Sequence, residues 1–157
     1  MNDISQQINQ AVTNLVEKYN EVVNGTLSAN DFYEQYSRYR MLDIANTIER
    51  LENPRAKPIL TDNQDGIYMG IRIEHIDYLA VVPRFSLIVT PVHYNIGAIK
   101  EFFECRNYRP NYQFRRIKLI KPVFLIVVSR PDKWQILRLP SGEDRLGIIE
   151  LQQPEPY

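Results

Sequence analysis

The side chains that could carry nucleophilic, acid–base or metal chemistry are few and far apart. The chain has one cysteine, Cys105, and two histidines, His75 and His93. A Cys105–His93 pair would join a nucleophile to a base, but Cys105 follows Phe102 in an apolar helical pattern typical of a buried, inert thiol. One cysteine and two histidines fall short of the four ligands that a structural zinc site uses. We therefore expect no catalytic residue, no metal and no cofactor.

Phosphate- and calcium-binding motifs are also missing. Residues 62–66 read Asp-Asn-Gln-Asp-Gly, but a calcium loop aligned on Gly66 would begin at Thr61 and end at Arg72, where acidic ligands are needed. Neither GxxxxGK[ST] nor GxGxxG occurs. The segment is therefore interpreted as a polar turn, and the protein is predicted not to be an enzyme.

Residues 105–131 form a basic stretch that contains no acidic residue and seven Lys or Arg residues, interleaved with aromatic side chains. This composition suits single-stranded nucleic acid, which binds through backbone charge and base stacking, or an acidic protein surface. The alternative is a solvated edge strand that resists aggregation. The candidate contact residues are Arg106, Arg109, Tyr112, Arg115, Arg116 and Lys118.

Tyrosines and arginines are concentrated in a second segment, at residues 33–40. Tyr and Arg are enriched at protein interfaces, so this segment is a candidate partner-binding surface. Packing against the rest of the protein is the alternative. The residues concerned are Tyr33, Tyr36, Arg38, Tyr39 and Arg40.

Two helices are predicted before residue 53. Apolar residues recur at spacings of three and four over residues 3–24. Ser28 is suited to cap a second helix that runs to about Leu51, with Ile48 and Leu51 on its inner face. A short connection makes the two helices antiparallel, so residues 1–53 are predicted to form a helical hairpin.

Beyond a linker at 54–65, short β-prone runs separated by turn residues predict a mostly antiparallel barrel or sandwich at 66–151. A crossing helix is expected at 95–106, and residues 152–157 are expected to form a loose tail. The fold class is therefore α+β. The seven predicted strands are 67–73, 78–82, 85–90, 114–120, 123–129, 134–139 and 146–151.

Composition and charge indicate a cytoplasmic protein without a membrane segment. The longest uncharged apolar run, 122–129, is far shorter than the roughly 20 residues that span a bilayer. No secretory signal is evident, and a single cysteine fits a reducing compartment. The net charge is zero, but residues 1–80 carry an excess of five acids and residues 81–157 an excess of five bases. The oppositely charged halves of two copies could therefore attract each other, or one half could bind a partner of opposite charge.

Several segments resemble a β-rich domain found in uncharacterised, largely cyanobacterial proteins, where it often follows a helical segment. The resemblance covers roughly residues 66–151 and carries no activity or catalytic residue, so it implies only a bacterial β-module on a helical spacer. The segments that carry it are Val81-Val82-Pro83-Arg84, Phe102 to Tyr108, Ile117 to Pro122, Trp134, and Leu146-Gly147-Ile148.

Together these features predict a non-catalytic interaction or adaptor module that self-associates through its helices. A protein partner or a second copy is expected. The alternative is binding of single-stranded nucleic acid through residues 106–121.

Overall fold

A computed structural model describes residues 3–129, 133–137 and 145–157. These residues form five helices and nine strands. The helices are α1 (Asp3–Val23), α2 (Ala29–Gln35), α3 (Thr47–Glu52), α4 (Pro91–Asn95) and α5 (Ile99–Phe102). The strands are β1 (Arg40–Ile44), β2 (Leu60–Asp62), β3 (Tyr68–Arg72), β4 (Leu79–Pro83), β5 (Phe103–Arg106), β6 (Tyr112–Lys121), β7 (Val123–Ser129), β8 (Lys133–Ile136) and β9 (Gly147–Pro156).

Six of the strands close into an antiparallel barrel in the order β1-β2-β8-β7-β4-β3. Strands β3 and β4 are buried along most of their length, including Tyr68, Met69, Val81 and Val82. The remaining strands form a second sheet in the order β5-β9-β6, in which β5 runs parallel and β6 antiparallel to β9. The predicted α+β class with an antiparallel barrel is confirmed.

Helix α1 packs against β6 of the second sheet and β4 of the barrel. Leu15 and Tyr19 are fully buried on one helical face, as the apolar spacing predicts. The Tyr19 hydroxyl donates to the Pro83 carbonyl at 2.9 Å. No helix in the described ranges has both the length and the apolar character needed to cross a membrane.

The second half of the predicted helical hairpin is wrong. Ser28 does cap a helix, since its hydroxyl accepts from the Asp31 amide at 3.0 Å, but that helix ends at Gln35. Residues 40–44 instead form β1, which pairs with β2 on one side and β3 on the other and buries Leu42. Pairing on both edges outweighs a weak helical propensity because it satisfies the backbone and fills the barrel at once. The predicted helical segment therefore supplies a barrel strand and the separate short helix α3.

The predicted crossing helix at 95–106 is also interrupted. Ala98 adopts a left-handed conformation with a φ of 68° and separates α4 from α5. The chain then continues from Phe103 as β5, which pairs with β9. Cys105 consequently lies on a strand rather than on the apolar face of a helix.

One predicted strand and the predicted C-terminal tail need correction. Residues 85–90 do not form a strand, although Val89 and Phe114 exchange two backbone hydrogen bonds of 2.9 Å. The predicted tail at 152–157 is ordered as part of β9, which pairs with β6 as far as Pro156. The end of the predicted strand 134–139, at residues 138 and 139, lies outside the described residues.

Candidate interaction surfaces

Three of the five predicted partner-binding residues line one cleft at an end of the barrel. Its volume is about 610 Å³, and its walls are residues 35–39 and residues 71–77. The first wall connects α2 to β1 and supplies Tyr36, Arg38 and Tyr39. The second wall is the end of β3 with the turn that leads to β4. We call this the Tyr–Arg cleft.

Four charged side chains in the Tyr–Arg cleft have no partner within the described part of the chain. Arg38, Arg72, Glu74 and Asp77 form neither a side-chain hydrogen bond nor an ion pair there. His75 lies between them with a φ of 73°, in the left-handed region. The cleft therefore offers unpaired charges of both signs beside two aromatic rings.

The other two predicted partner-binding residues contribute to packing within the protein. The ring of Tyr33 stacks on Tyr39 with centroids 4.4 Å apart, and burial raises the pKa of Tyr33. Arg40 pairs with Asp62 at 2.9 Å and lies 4.6 Å over the Trp134 ring. These two side chains tie α2 and β1 to the barrel and line no part of the cleft.

A second surface is apolar and lies where α3 meets α4 and α5. Ile48 is 74% exposed, Leu51 63% and Ile96 48%. Leu51 and Ile96 border a groove of about 280 Å³ together with Pro54. We call these four residues the apolar patch. Exposed apolar side chains that lie next to one another are characteristic of interaction sites.

An ion pair beneath the apolar patch fixes its two sides. Arg50 on α3 pairs with Glu101 on α5, and its guanidinium donates to the Ile96 carbonyl at 3.4 Å. Burial lowers the pKa of Arg50. The groove is therefore bounded by two helices held together rather than by independent loops.

The first half of α1 is exposed and uncharged. Residues 4–16 contain no Asp, Glu, Lys, Arg or His in a chain whose charged fraction is 24%. No residue from 4 to 10 is buried, Ile4 is 58% exposed, and the first buried side chain of the helix is Leu15. This part of the helix extends past the surface that covers its second half.

The predicted nucleic-acid contacts are spread over β5, β6 and the turn between them. Arg115 pairs with Glu155 at 2.8 Å, and this contact lowers the pKa of Glu155. Lys118 lies opposite Glu150 in the β6–β9 register. Acids of β9, distant in sequence, therefore offset part of the charge of β6.

The remaining members of that set have different surroundings. Arg116 donates to the side chain of Asn24, in the turn that follows α1. The guanidinium of Arg109 lies 4.0 Å over the Tyr112 ring. Arg106 is exposed at the end of β5. Arg130, the last base of the stretch, lies outside the described residues.

Cys105 and His93 are each engaged with backbone. The Cys105 thiol donates to the Phe103 carbonyl at 3.6 Å, and burial, with a smaller contribution from Glu104, raises its pKa to about 12. Nδ1 of His93 lies 2.9 Å from the Ile88 carbonyl oxygen and 3.4 Å from the Thr90 amide nitrogen, where it takes part in the capping box of α4. Neither side chain hydrogen-bonds the other. Among the described residues, no group of three or more His, Cys, Asp and Glu side chains is placed to hold a metal ion.

Comparison with protein families, with curated proteins and with solved structures finds no match to this chain. The resemblance to a cyanobacterial β-rich domain therefore stays a prediction.

Sequence analysis missed the apolar patch and half of the Tyr–Arg cleft. The sequence pattern predicts Ile48 and Leu51 on the inner face of a long helix, but α3 is short and both side chains are exposed. Asn46 and Pro54, which bound α3, were a usable signal. Arg72, Glu74 and Asp77 carry no local signal, because only the fold brings their turn to residues 35–39.

Proposed function

We propose that this protein is a non-catalytic interaction module that self-associates through the apolar patch. The observation that carries this proposal is the exposure of Leu51 and Ile96 at one groove, with Ile48 exposed three residues before Leu51 on α3. Each side chain leaves apolar area exposed to water. Covering that area with a second surface would stabilise the assembly by about 25 cal/mol per Å² of apolar area buried.

A second copy of the chain suits the apolar patch better than a strongly charged partner. Exposed charges of both signs, Glu52, Arg55 and Lys100, belong to the elements around the patch. Two copies related by a twofold axis can therefore meet without a net like-charge repulsion. The uncharged half of α1 adds a further exposed surface that an assembly could cover without burying a charge.

The environments of Cys105 and His93 support the non-catalytic part of the proposal. A thiol whose pKa is raised to about 12 is protonated near neutral pH and is a weak nucleophile. Nδ1 of His93 is engaged by the backbone of Ile88 and Thr90.

The proposal is tested by introducing a charge into the apolar patch. Sedimentation velocity over a wide concentration range should show reversible association of the natural protein and its loss in Leu51→Asp. The matched control is Asn30→Asp, which adds the same charge at an exposed position of α2.

Binding of single-stranded nucleic acid is a second candidate, favoured by one specific contact. Arg109 lies over Tyr112 on the second sheet, which places a cation beside an aromatic ring. Arg106 and Lys118 are exposed on the same sheet.

A further inference from the structure

We infer that the Tyr–Arg cleft binds a polypeptide segment that carries acidic and basic side chains close together. This site is separate from the apolar patch, and its failure or success leaves the proposed self-association unaffected.

The size of the cleft suits a short chain segment. At about 610 Å³ it lies in the range of roughly 300–1,000 Å³ that is typical of ligand sites. Tyr36 and Tyr39 supply aromatic surface on one wall, and Ile76 supplies apolar surface on the other. Tyrosine is a frequent anchor for bound polypeptides because its ring is large and has few rotatable bonds.

The charges of the cleft determine the chemistry of its ligand. Arg38 and Arg72 can each bind a carboxylate in a bidentate geometry. Glu74 and Asp77, on the same lining, would repel a purely anionic ligand and attract an ammonium or guanidinium group. A segment with both signs of charge satisfies all four groups, whereas a segment of either single sign leaves two of them facing like charge.

The four charged groups of the cleft lie on one cavity without pairing with one another, although ion pairs form elsewhere on the protein. Arg40 pairs with Asp62, and Arg115 with Glu155. In the cleft, two arginines and two carboxylates line one cavity, yet no pair of them comes within 4.0 Å. Their charges thus stay available to a ligand.

A polypeptide fits this arrangement better than a small zwitterion. The arginines lie on both walls, with Arg38 between α2 and β1 and Arg72 at the end of β3. A small zwitterion can engage one arginine and one carboxylate, but a chain segment that follows the cleft can reach both walls.

The test measures fluorescence anisotropy of three labelled peptides of equal length: alternating Glu and Lys, all Glu, and all Lys. The alternating peptide should bind most tightly, and its affinity should fall as salt is added. An exposed ion pair contributes up to about fivefold in affinity, so Arg38→Ala/Arg72→Ala should weaken binding roughly tenfold. Glu74→Gln/Asp77→Asn should reduce the preference over the all-Glu peptide. The matched control is Arg84→Ala/Arg145→Ala, which removes two arginines that neither line the cleft nor belong to the basic stretch.

Several outcomes of the peptide measurements would overturn the inference. They are no binding of the alternating peptide at low salt, binding of the all-Glu peptide at least as tightly, and equal weakening by the control pair. A cleft that prefers single-stranded DNA to the alternating peptide would also contradict it. Sedimentation velocity of the cleft variants is expected to match the natural protein, which keeps this result independent of the apolar patch.

Discussion

The side chain of Asn20 in α1 completes both backbone hydrogen bonds of Leu119 in β6. Its Nδ2 donates to the Leu119 carbonyl at 2.8 Å, and its Oδ1 accepts from the Leu119 amide at 2.9 Å. Strand β6 is an edge of its sheet, so the amide of Asn20 takes the place of a neighbouring strand at this residue. Helix α1 is thereby fixed to the second sheet at a defined register.

Asn20→Asp tests this attachment. Aspartate keeps an acceptor for the Leu119 amide but loses the donor to the carbonyl and places a carboxylate against it. We expect a loss of about 2–3 kcal/mol in the free energy of unfolding, measured by chemical denaturation. Asn9→Asp is the control because Asn9 is exposed on the same helix. Equal stabilities of the two variants would show that the paired hydrogen bonds contribute nothing.

Gly66 is expected to tolerate no side chain. A Cβ there would lie 2.0 Å from the carbonyl oxygen of Leu42, whose backbone is held in β1 between two strands. Gly66→Ala should cost at least about 3 kcal/mol of stability, measured by thermal unfolding.

Gly25→Ala provides the contrast for Gly66. Nothing lies within 4 Å of a Cβ at Gly25, and only its φ of 81° opposes alanine. That strain costs about 1 kcal/mol. A Gly66 variant as mildly affected as the Gly25 variant would disprove the close approach to Leu42.

Alkaline pH should destabilise the fold through Cys105. Burial raises the pKa of this thiol from 9.0 to about 12, so between these values the unfolded chain releases a proton that the folded chain retains. Stability must then fall with rising pH across that window. Burial raises the pKa of Tyr19 and Tyr68 too, which acts in the same direction.

The measurement is urea denaturation from pH 7 to pH 11, with Cys105→Ser as the comparison. The serine variant should show a shallower loss of stability above pH 9, since it has no thiol to ionise. Identical slopes would contradict a raised thiol pKa. Alkylation of the folded protein by iodoacetamide at pH 8 should also be slow relative to the unfolded chain.

Single-stranded DNA tests the second candidate function. If the basic stretch binds phosphates, affinity should rise steeply as salt is lowered. Arg109→Ala should weaken binding by about 0.5–1 kcal/mol because it removes an exposed cation stacked on Tyr112. Arg115→Ala should have a smaller effect, since Arg115 is paired with Glu155. No binding at low salt would eliminate this function.

The sequence predicted the elements whose positions depend on interactions between residues close together in the chain. The apolar spacing of Leu15 and Tyr19 located the buried face of α1, and Ser28 located the start of α2. The turn residues around the central strands likewise located β3 and β4.

The elements that depend on pairing between strands distant in the sequence could not be predicted. Residues 40–44 become a strand because residues 60–62 and 68–70 pair with them, and no local pattern contains that information. The outward position of Ile48 and Leu51 follows from that same change, because a strand and a short helix replace one long helix. Tyr36, Arg38 and Tyr39, which the sequence predicts as a contact surface, form one wall of a cleft, while the opposite wall required the folded barrel.

Sedimentation velocity of the natural protein beside Leu51→Asp tests the proposed self-association most directly. We predict that the natural protein forms a discrete oligomer whose population rises with concentration. Leu51→Asp should sediment as a monomer with an unchanged circular dichroism spectrum, and Asn30→Asp should behave as the natural protein does. A natural protein that remains monomeric at its highest soluble concentration, or a folded Leu51→Asp variant that associates equally well, would contradict the account.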